Sequence, residues 1–318
     1  MNNNQILKLS PVFKNYLWGG TKLKTEFNKL TNLENVAESW ELACHINGTN
    51  IIENTQTSLK TYLRNNPDLL GENSKKFDNF PILIKFIDAK DNLSIQVHPS
   101  NEYAQKHHNS YGKTEFWYVI DCEPDSYLYY GFSKTISKEE FETRINNNTL
   151  LEVLNKVPIK KGDTFFIEAG TIHAICKNTL IAEIQQNSDI TYRIYDYNRL
   201  DKDGNLRELH IDKAIDVTSF TIPANSVTHI EETSDCYIKT FLTKSEYFEV
   251  YKYTINKNCK LHTDTSSFAS LIILEGEGNI SYENKIIPFK KGDSFFVPAN
   301  LGNYEILGQA EIIVTKIP

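Results

Sequence analysis

Two stretches of the chain, KGDTFFIEAGTIH (161–173) and KGDSFFVPANLGN (291–303), match each other closely at an offset of 130 residues. In both, Lys-Gly-Asp predicts a turn, and the aromatic and β-branched residues that follow predict a strand. The strands upstream also align, EFWYVIDCE (115–123) with ASLIILEGE (269–277). Repetition of a whole β unit predicts two related β domains. The alternative is a pair of unrelated hairpins that share only their turn chemistry.

The repeated unit resembles the two cupin motifs of a bicupin, a protein built from two jelly-roll β-barrels. We therefore expect a mainly β fold with short helical segments. The expected division is a catalytic cupin domain over residues 1–228 and a degenerate C-terminal cupin domain over residues 229–318. A helical insert is expected near 133–158, because Ser137 and Glu140 form a capping box and apolar residues follow at helical spacing.

The two copies of the repeat differ at the positions where a site would need polar side chains. Glu115 of the first copy aligns with Ala269 of the second, and His173 aligns with Asn303. This difference predicts one functional barrel and one structural partner.

Composition and charge narrow the classes of partner. The chain has 318 residues and a formal net charge of −7, which disfavours a nucleic acid or an anionic membrane as partner. No stretch approaches the roughly 18 apolar residues of a membrane span, and the first twenty residues lack the pattern of a signal peptide. The five cysteines are odd in number and lack CxxC spacing, so we expect free thiols in a reducing cytosol. The expected location is the cytoplasm.

Four polar residues are candidate metal ligands. Gln96 and His98 lie two apart on a predicted strand and therefore point to the same face, ahead of Pro99, which ends the strand. In a cupin they would face into the barrel together with Glu115 and His173. Two imidazoles, a carboxylate and an amide oxygen suit Zn²⁺ or another divalent first-row ion. Taken singly, each of these residues has an ordinary structural alternative.

Basic residues gather in the same strands. Lys85 precedes Gln96 by one strand, Lys113 lies two residues before Glu115, and Arg193 and Arg199 end the segment AEIQQNSDITYRIYDYNR (182–199). A buried cationic cluster beside a metal suits a small anionic substrate such as a sugar phosphate. The alternative for each is a solvated surface residue.

Several longer motifs resemble the type I mannose-6-phosphate isomerases in their short bacterial form. They are FKNYLWGG (13–20), AESWELACH (37–45), PILIKFIDA (81–89), LSIQVHPSNEYA (93–104), GKTEFWYVID (112–121), AGTIHAI (169–175) and the segment 182–199. The combination of QVHP, GKTE and a later IHA is far more specific than a generic cupin pattern. The resemblance runs from about Phe13 to Arg199 and reaches the C-terminus through the repeat.

The resemblance implies one zinc ion per chain and a set of site residues. The zinc would be held by Gln96, His98, Glu115 and His173. The residues implied in catalysis are Arg193, Lys113 and Glu183, and those implied in substrate binding are Ser94, Lys85 and Arg199, the last at the phosphate. Long family members carry a tyrosine where this chain has Ile175, and they contain a helical domain where this chain keeps only the stretch 133–158.

The implied reaction interconverts mannose 6-phosphate and fructose 6-phosphate through a cis-enediol. For the proton carrier, Lys113 and Glu183 are equal candidates. The other classes to consider are a metal-dependent cupin oxygenase, which usually has an HxH motif where this chain has Gln96, and a non-catalytic sugar-binding cupin. The expected partner is the small sugar phosphate, and a monomer is favoured.

Overall fold

The computed structural model of the chain describes residues 4–201, 203–224 and 229–318. The strands within these ranges are β1 (Leu7–Ser10), β2 (Val12–Lys14), β3 (Glu38–Leu42), β4 (Cys44–His45), β5 (Gly48–Thr49), β6 (Ile51–Ile52), β7 (Ile82–Ala89), β8 (Ile95–Val97), β9 (Glu115–Cys122), β10 (Tyr127–Phe132), β11 (Leu154–Pro158), β12 (Thr164–Ile167), β13 (His173–Ile175), β14 (Thr179–Gln186), β15 (Tyr192–Tyr195), β16 (Ile230–Thr233), β17 (Tyr237–Lys244), β18 (Glu249–Ile255), β19 (Cys259–Thr263), β20 (Ala269–Tyr282), β21 (Lys285–Lys290), β22 (Ser294–Val297) and β23 (Gly302–Lys316). The α-helices are α1 (Lys22–Thr25), α2 (Leu59–Asn65), α3 (Asn101–His108), α4 (Lys138–Asn146) and α5 (Ile211–Val217), with 3-10 turns at Pro67–Leu70, Glu72–Lys76 and Leu150–Val153.

The first barrel is a sandwich of two sheets. Six strands pair in the order β12-β9-β14-β7-β3-β2, and five pair in the order β11-β10-β13-β8-β15. A further sheet contains ten strands along β16-β17-β18-β23-β20-β22-β1-β6, with β19 on β23 and β21 on β20, and it forms the second barrel. The expectation of a mainly β, two-barrel fold is confirmed.

The central strands of the six-stranded sheet are buried on both faces. In β14, Ala182 and Ile184 pack into a core shared with the second barrel, whereas Ile181 packs into the core of the first barrel. Because side chains alternate along a strand, Glu183 and Gln185 point the same way as Ile181. The sequence of β14, TLIAEIQQ, therefore combines apolar residues on the face toward the shared core with Glu183 and Gln185 on the face toward the first barrel.

The repeated Lys-Gly-Asp turns have matching hydrogen bonds. The Gly162 N–H donates to the Val119 carbonyl at 2.8 Å, and the Gly292 N–H donates to the Ile273 carbonyl at 2.9 Å. Both glycines have φ of +91°, a left-handed conformation that favours glycine. The strand after each turn then pairs with β9 or β20, so that Ile167 lies opposite Glu115 and Val297 lies opposite Ala269. The alignment of the two copies therefore holds in three dimensions.

Two details of the expected organisation differ in the structure. The stretch 133–158 is helical only as far as Val153, because Leu154–Pro158 pairs with β10 as the edge strand β11. The strand β1 joins the sheet of the second barrel, with Leu7 opposite Phe296. The division at 228/229 borders residues 225–228, which lie outside the described ranges, and it stays a prediction.

The cysteines also differ from expectation. Cys236 and Cys259 are joined in a disulfide that links the start of β17 to β19, while Cys44, Cys122 and Cys176 are free. The prediction that all five are free thiols is therefore wrong for this pair. Sequence spacing gave no signal, since the two residues lie 23 apart and become neighbours only when the second barrel folds.

No helix among the described residues is long and apolar enough to cross a membrane.

Candidate metal centre and active site

The site residues come from facing strands of the two sheets of the first barrel. Strands β8 and β13 of the five-stranded sheet supply Gln96 and His173, which lie opposite each other in register. The six-stranded sheet supplies Glu115 from β9 and Glu183 from β14. Because both sheets turn these positions toward the barrel interior, residues up to about 90 apart in sequence meet at one point.

His98, Glu115 and His173 form a buried cluster suited to a metal ion. One ligand atom from each lies within 4.8 Å of the others. Glu115 Oε1 is 3.3 Å from His173 Nε2, and Glu115 Oε2 is 3.5 Å from His98 Nε2. None of the three side chains is more than 1% exposed.

Hydrogen bonds to the backbone fix both imidazoles. His98 Nδ1 lies 2.9 Å from the Ile190 carbonyl, and His173 Nδ1 lies 2.8 Å from the Thr171 carbonyl. A carbonyl only accepts, so each Nδ1 carries the proton and each Nε2 has a free lone pair. Burial lowers the pKa of both rings, that of His173 to about 4. Both histidines are therefore neutral and present Nε2 toward Glu115.

Gln96 completes the group on the side of β8. Its amide nitrogen is 3.4 Å from His173 Nε2, and its amide oxygen accepts a hydrogen bond from Ser94 Oγ at 3.3 Å. A rotation of the amide by half a turn would exchange these two atoms, and the choice between them follows from the hydrogen-bond network. Gln96 is thus placed beside the cluster with an oxygen available as a fourth ligand.

The carboxylate of Glu115 needs a cation. Burial, and then the charge of Glu183, raise the pKa of Glu115, while Lys113 opposes this effect. Lys113 Nζ lies 2.6 Å from Glu115 Oε2 and 2.9 Å from His98 Nε2, so an ammonium group sits against the ligand atoms. Two neutral imidazoles and a carboxylate around a point that attracts positive charge fit zinc or a similar divalent ion.

Glu183 lies beside the cluster and is held as a carboxylate. Its Oε1 is 3.1 Å from Lys85 Nζ and 4.0 Å from Lys113 Nζ, and its Oε2 accepts from Trp117 Nε1 at 3.0 Å. Burial alone would raise the pKa of Glu183, but the charges of Lys113 and Lys85 lower it to about 2. Glu183 is therefore ionised at neutral pH despite being 3% exposed.

A cavity of about 270 Å³ adjoins the cluster. Of the residues expected at the site, those lining this cavity are Lys85, Ser94, Gln96, Lys113, Glu183 and Arg193. Arg193 belongs there because it lies opposite Gln96 in the pairing of β15 with β8. His98, Glu115 and His173 form the adjoining cluster.

Arg199 is the expected site residue that the structure places elsewhere. It does not line this cavity, and its guanidinium is bound to the protein at each nitrogen. Nε donates to the Asp196 carbonyl, NH1 to the Asn92 carbonyl, and NH2 to Asp196 Oδ1.

Sequence reasoning gave no role to several residues that line the cavity. They are Tyr16, Trp18, Glu38, Trp40, Asp189, Thr191 and Arg207. Four of them belong to the motifs FKNYLWGG and AESWELACH and two to the segment 182–199, so their place in these motifs was the available signal. Arg207 had no such signal, because it follows a polar loop outside every motif.

The chain matches two family models, phosphomannose isomerase type I, catalytic domain, over residues 6–119, and mannose-6-phosphate isomerase, cupin domain, over residues 237–317. It is 40% identical over 316 residues to the mannose-6-phosphate isomerase ManA of Bacillus subtilis, with 98% of each chain covered. A crystal structure of the mannose 6-phosphate isomerase from Bacillus subtilis matches with a TM-score of 0.92 at 36% identity, covering 98% of this chain and 99% of that one. A mannose 6-phosphate isomerase described as bound with zinc and yttrium shares the fold, with a TM-score of 0.75 at 17% identity over 98% of both chains.

Two β-barrels, of which the first contains the buried histidine–carboxylate cluster, are the architecture of a bicupin, and the family models that match the chain are those of phosphomannose isomerases of type I. The degenerate second barrel matches the cupin model of the same family, so the two halves of the chain match models of one family. The chain belongs to the type I mannose-6-phosphate isomerase family. This membership favours an isomerase over the oxygenase and the non-catalytic sugar-binding alternatives.

Proposed function

We propose that the chain interconverts mannose 6-phosphate and fructose 6-phosphate through a cis-enediol, with one zinc ion per chain. The observation that carries the proposal is the contact between the His98–Glu115–His173 cluster and a cavity lined by an ionised carboxylate and several cations. The full-length similarity to mannose-6-phosphate isomerases supports the choice of substrate.

The reaction moves one proton between two neighbouring carbons. In the aldose-to-ketose direction a base removes the proton from C2, and the aldehyde oxygen at C1 takes up a proton to give the enediol. The hydroxyl at C2 then loses its proton, and a proton returns to C1. No electrons leave the sugar, so the site needs an acid–base pair and stabilisation of charge on the two oxygens.

Gln96, His98, Glu115 and His173 would hold the zinc ion. Bound there, zinc would stabilise negative charge on the sugar oxygens without redox chemistry. The fixed Nδ1–H donors of the two histidines keep their rings oriented for this role.

Glu183 is our candidate for the base. It is ionised, it faces the cavity, and its Oε2 is oriented by Trp117. A lysine can act as a base only after losing its proton, whereas Lys113 forms ion pairs with Glu115 and Glu183. Lys113 is therefore better suited to donate a proton or a hydrogen bond to a sugar oxygen.

Arg193 is our candidate for charge stabilisation at the reacting oxygens. It lies in register with Gln96, and its charge is permanent. Ser94 and Lys85 line the same cavity and are positioned to bind hydroxyl groups. Trp18, Trp40 and Ile175 supply the apolar wall against which a sugar ring packs.

The test couples fructose 6-phosphate formation to a metal analysis of the purified protein. We expect turnover of mannose 6-phosphate, one zinc per chain, loss of activity with a chelator and recovery with added zinc. Turnover that survives complete metal removal would contradict the zinc part, and absence of turnover with zinc bound would contradict the isomerase part. We also propose a monomer acting in the cytosol, which light scattering and fractionation would check.

A further inference from the structure

The two ends of the cavity beside the metal cluster differ in their charged side chains. At the inner end two ammonium groups, Lys85 and Lys113, face three carboxylates, Glu38, Glu115 and Glu183. The side chains of the inner end thus carry no surplus positive charge. A zinc ion bound at the cluster would add positive charge there, and the proposed reaction uses that charge at the sugar oxygens.

The outer end of the cavity is rich in arginine. Arg193 and Arg207 line it, and Arg199 lies behind them. The carboxylates at this end are Asp196, which is 4% exposed between Arg199 and Arg207, and Asp189, which faces the cavity and accepts from Asn47 at 2.6 Å. Glu208, whose charge also acts on Arg193, is 83% exposed, so its carboxylate lies largely in solvent and opposes the three guanidinium groups less than Asp189 and Asp196 do.

The hydrogen-bond partners separate the three arginines. Each nitrogen of Arg199 donates to Asp196 or to the Asn92 carbonyl, so three of its five N–H groups are engaged, and its side chain does not line the cavity. Within the part of the chain that the structure describes, Arg207 makes two long hydrogen bonds, from NH1 to the two oxygens of Asp196 at 3.3 and 3.4 Å. Its side chain is 21% exposed and keeps its other donors free to turn toward the cavity.

Arg193 could donate a further hydrogen bond to an anion at this end of the cavity. Its NH1 donates to the Glu208 carbonyl at 2.9 Å, but its buried Nε has no partner among the described residues. Burial, and then the charge of Arg207, lower the pKa of Arg193, so the two guanidinium groups repel each other across a shared space. A bound anion between them would remove both the unmet donor and the repulsion.

We infer that Arg207 binds the phosphate group of the sugar phosphate, and that Arg199 is a positioning residue that acts through Asp196. Asp196 is held by Arg199 on one side and touches Arg207 on the other. The turn after it is fixed in shape, because Tyr197 and Asn198 both have positive φ. The inference rests on the proposed function for the identity of the substrate, and it moves the phosphate from Arg199 to Arg207.

This placement of the phosphate also gives Arg193 and Arg207 different functions. Arg193 lies between the two ends of the cavity, because it is opposite Gln96 beside the metal cluster and its charge also interacts with that of Arg207, which belongs to the loop after β15. The sugar would then extend from the cluster to the mouth, with its phosphate outermost. Recognition of the phosphate contributes equally before and during proton transfer, because its charge does not change in the reaction.

The experiment uses the zinc-loaded full chain and the variants Arg207→Ala, Arg207→Lys and Arg199→Ala. For Arg207→Ala, loss of a charge-assisted contact predicts a rise in KM for mannose 6-phosphate of about 10- to 100-fold, with kcat within about threefold. Inhibition by inorganic phosphate should weaken by a similar factor, and Arg207→Lys should recover part of the loss. The matched control is Arg144→Ala on α4, whose ion pairs with Glu140 and Glu152 lie far along the chain from the cavity.

Two readouts keep this inference separate from the proposed function. Calorimetric binding of mannitol 6-phosphate and of mannitol does not depend on turnover, and Arg207→Ala should weaken only the phosphorylated ligand. Arg199→Ala should weaken it too, and Asp196→Asn should do the same, since both act through the position of Arg207. The inference is wrong if Arg207→Ala binds mannitol 6-phosphate within twofold of the wild-type affinity. It is also wrong if Arg199→Ala loses this binding while Arg207→Ala keeps it. Absence of isomerase activity in the wild type would overturn the proposed function and leave this binding result standing.

Discussion

His173 lies directly opposite Gln96 across strands β13 and β8, and their side-chain nitrogens approach to 3.4 Å. In the second barrel the same relationship joins Asn303 and His262 across β23 and β19, where the two side chains are 2.9 Å apart. The second pair is exposed and has no carboxylate comparable to Glu115, because Ala269 occupies that position. The first barrel thus contains a candidate set of metal ligands. The second barrel has the matching strand pairing without such a set.

The first prediction follows from this pair of barrels. Replacing His98 or His173 by Ala should lower zinc affinity by at least about 100-fold. Mutating a residue that only hydrogen-bonds a metal ligand already lowers metal affinity by about 10- to 100-fold. Activity should fall in parallel. Metal analysis after dialysis and the isomerase assay measure the two effects. His262→Ala is the matched control and should keep zinc and turnover, and a wild-type zinc content in His173→Ala would refute the site.

The second prediction concerns proton transfer by Glu183. Glu183→Gln keeps the hydrogen-bonding shape but removes the base, so kcat should fall by about 10²- to 10⁴-fold while zinc stays bound. Exchange of the C2 proton of mannose 6-phosphate with deuterated solvent should fall equally. Glu102→Gln, on the exposed side of α3, is the control. Wild-type exchange in Glu183→Gln, with exchange lost in Lys113→Gln, would make Lys113 the base instead.

The third prediction concerns a buried ion pair between the two barrels. Lys29 Nζ is 2.7 Å from Glu41 Oε1 and also donates to the Gly292 carbonyl, while Ser294 of the second barrel donates to Glu41 Oε2. Both charged side chains are nearly inaccessible, at 6% and 0% exposed. Glu41→Ala should therefore lower the free energy of unfolding by about 3–5 kcal/mol, because it leaves a buried ammonium without its partner.

Urea unfolding of Glu41→Ala, Lys29→Met and the double variant measures this pair as a thermodynamic cycle. The double variant should be more stable than Glu41→Ala alone, since it removes the unpaired charge. Additive losses in the double variant would show that the two side chains do not interact energetically.

The fourth prediction concerns the pH dependence of stability. Burial raises the pKa of Asp88 from 3.8 to about 6, although hydrogen bonds from the α1 backbone and the charge of Lys22 oppose the rise. The folded state thus holds this proton more tightly than the unfolded state does. The contribution of Asp88 to the free energy of unfolding is greatest when Asp88 is protonated. This contribution falls as pH increases from about 4 to about 6, by up to about 2–3 kcal/mol.

Asp88→Asn should remove that part of the slope, because the amide does not titrate and its oxygen still accepts from the Lys22 N–H. Thermal unfolding of both proteins between pH 4 and 7 gives the difference curve. Asp68→Asn, in an exposed 3-10 turn, should leave the curve unchanged. An identical slope in the wild type and Asp88→Asn would show that Asp88 does not titrate in this range.

The sequence predicted the architecture because the repeat is local and periodic. Lys-Gly-Asp followed by an apolar strand marks the same turn twice, and strand alternation is enough to place Gln96 and His98 on one face. The ligand cluster was predictable for the same reason. Each ligand sits at a position set by its own short motif.

What the sequence missed depends on contacts between distant side chains. The charge of Arg199 predicts that it binds the phosphate, but it does not line the cavity, and each of its nitrogens donates to Asp196 or to the Asn92 carbonyl. The apolar spacing before Leu154 predicts that the helical stretch continues to Pro158. The structure shows instead that Leu154–Pro158 pairs with β10 and is therefore a strand. Local secondary-structure propensity predicts neither the position of Arg199 nor the strand Leu154–Pro158.

The strand β1 makes the second barrel depend on the beginning of the chain. Leu7 and Lys8 pair with Phe296 and Phe295, so one edge of β22 is covered by residues synthesised nearly three hundred positions earlier. As the chain leaves the ribosome, β1 can pair early with β6, but its pairing with β22 must wait until almost the whole protein has been made, and such distant pairing slows folding. A fragment beginning at the second barrel would expose the backbone of β22 as an open edge, prone to pair with another chain. Cutting this protein into its two apparent halves would therefore produce one half that aggregates, even though each half contains a recognisable barrel.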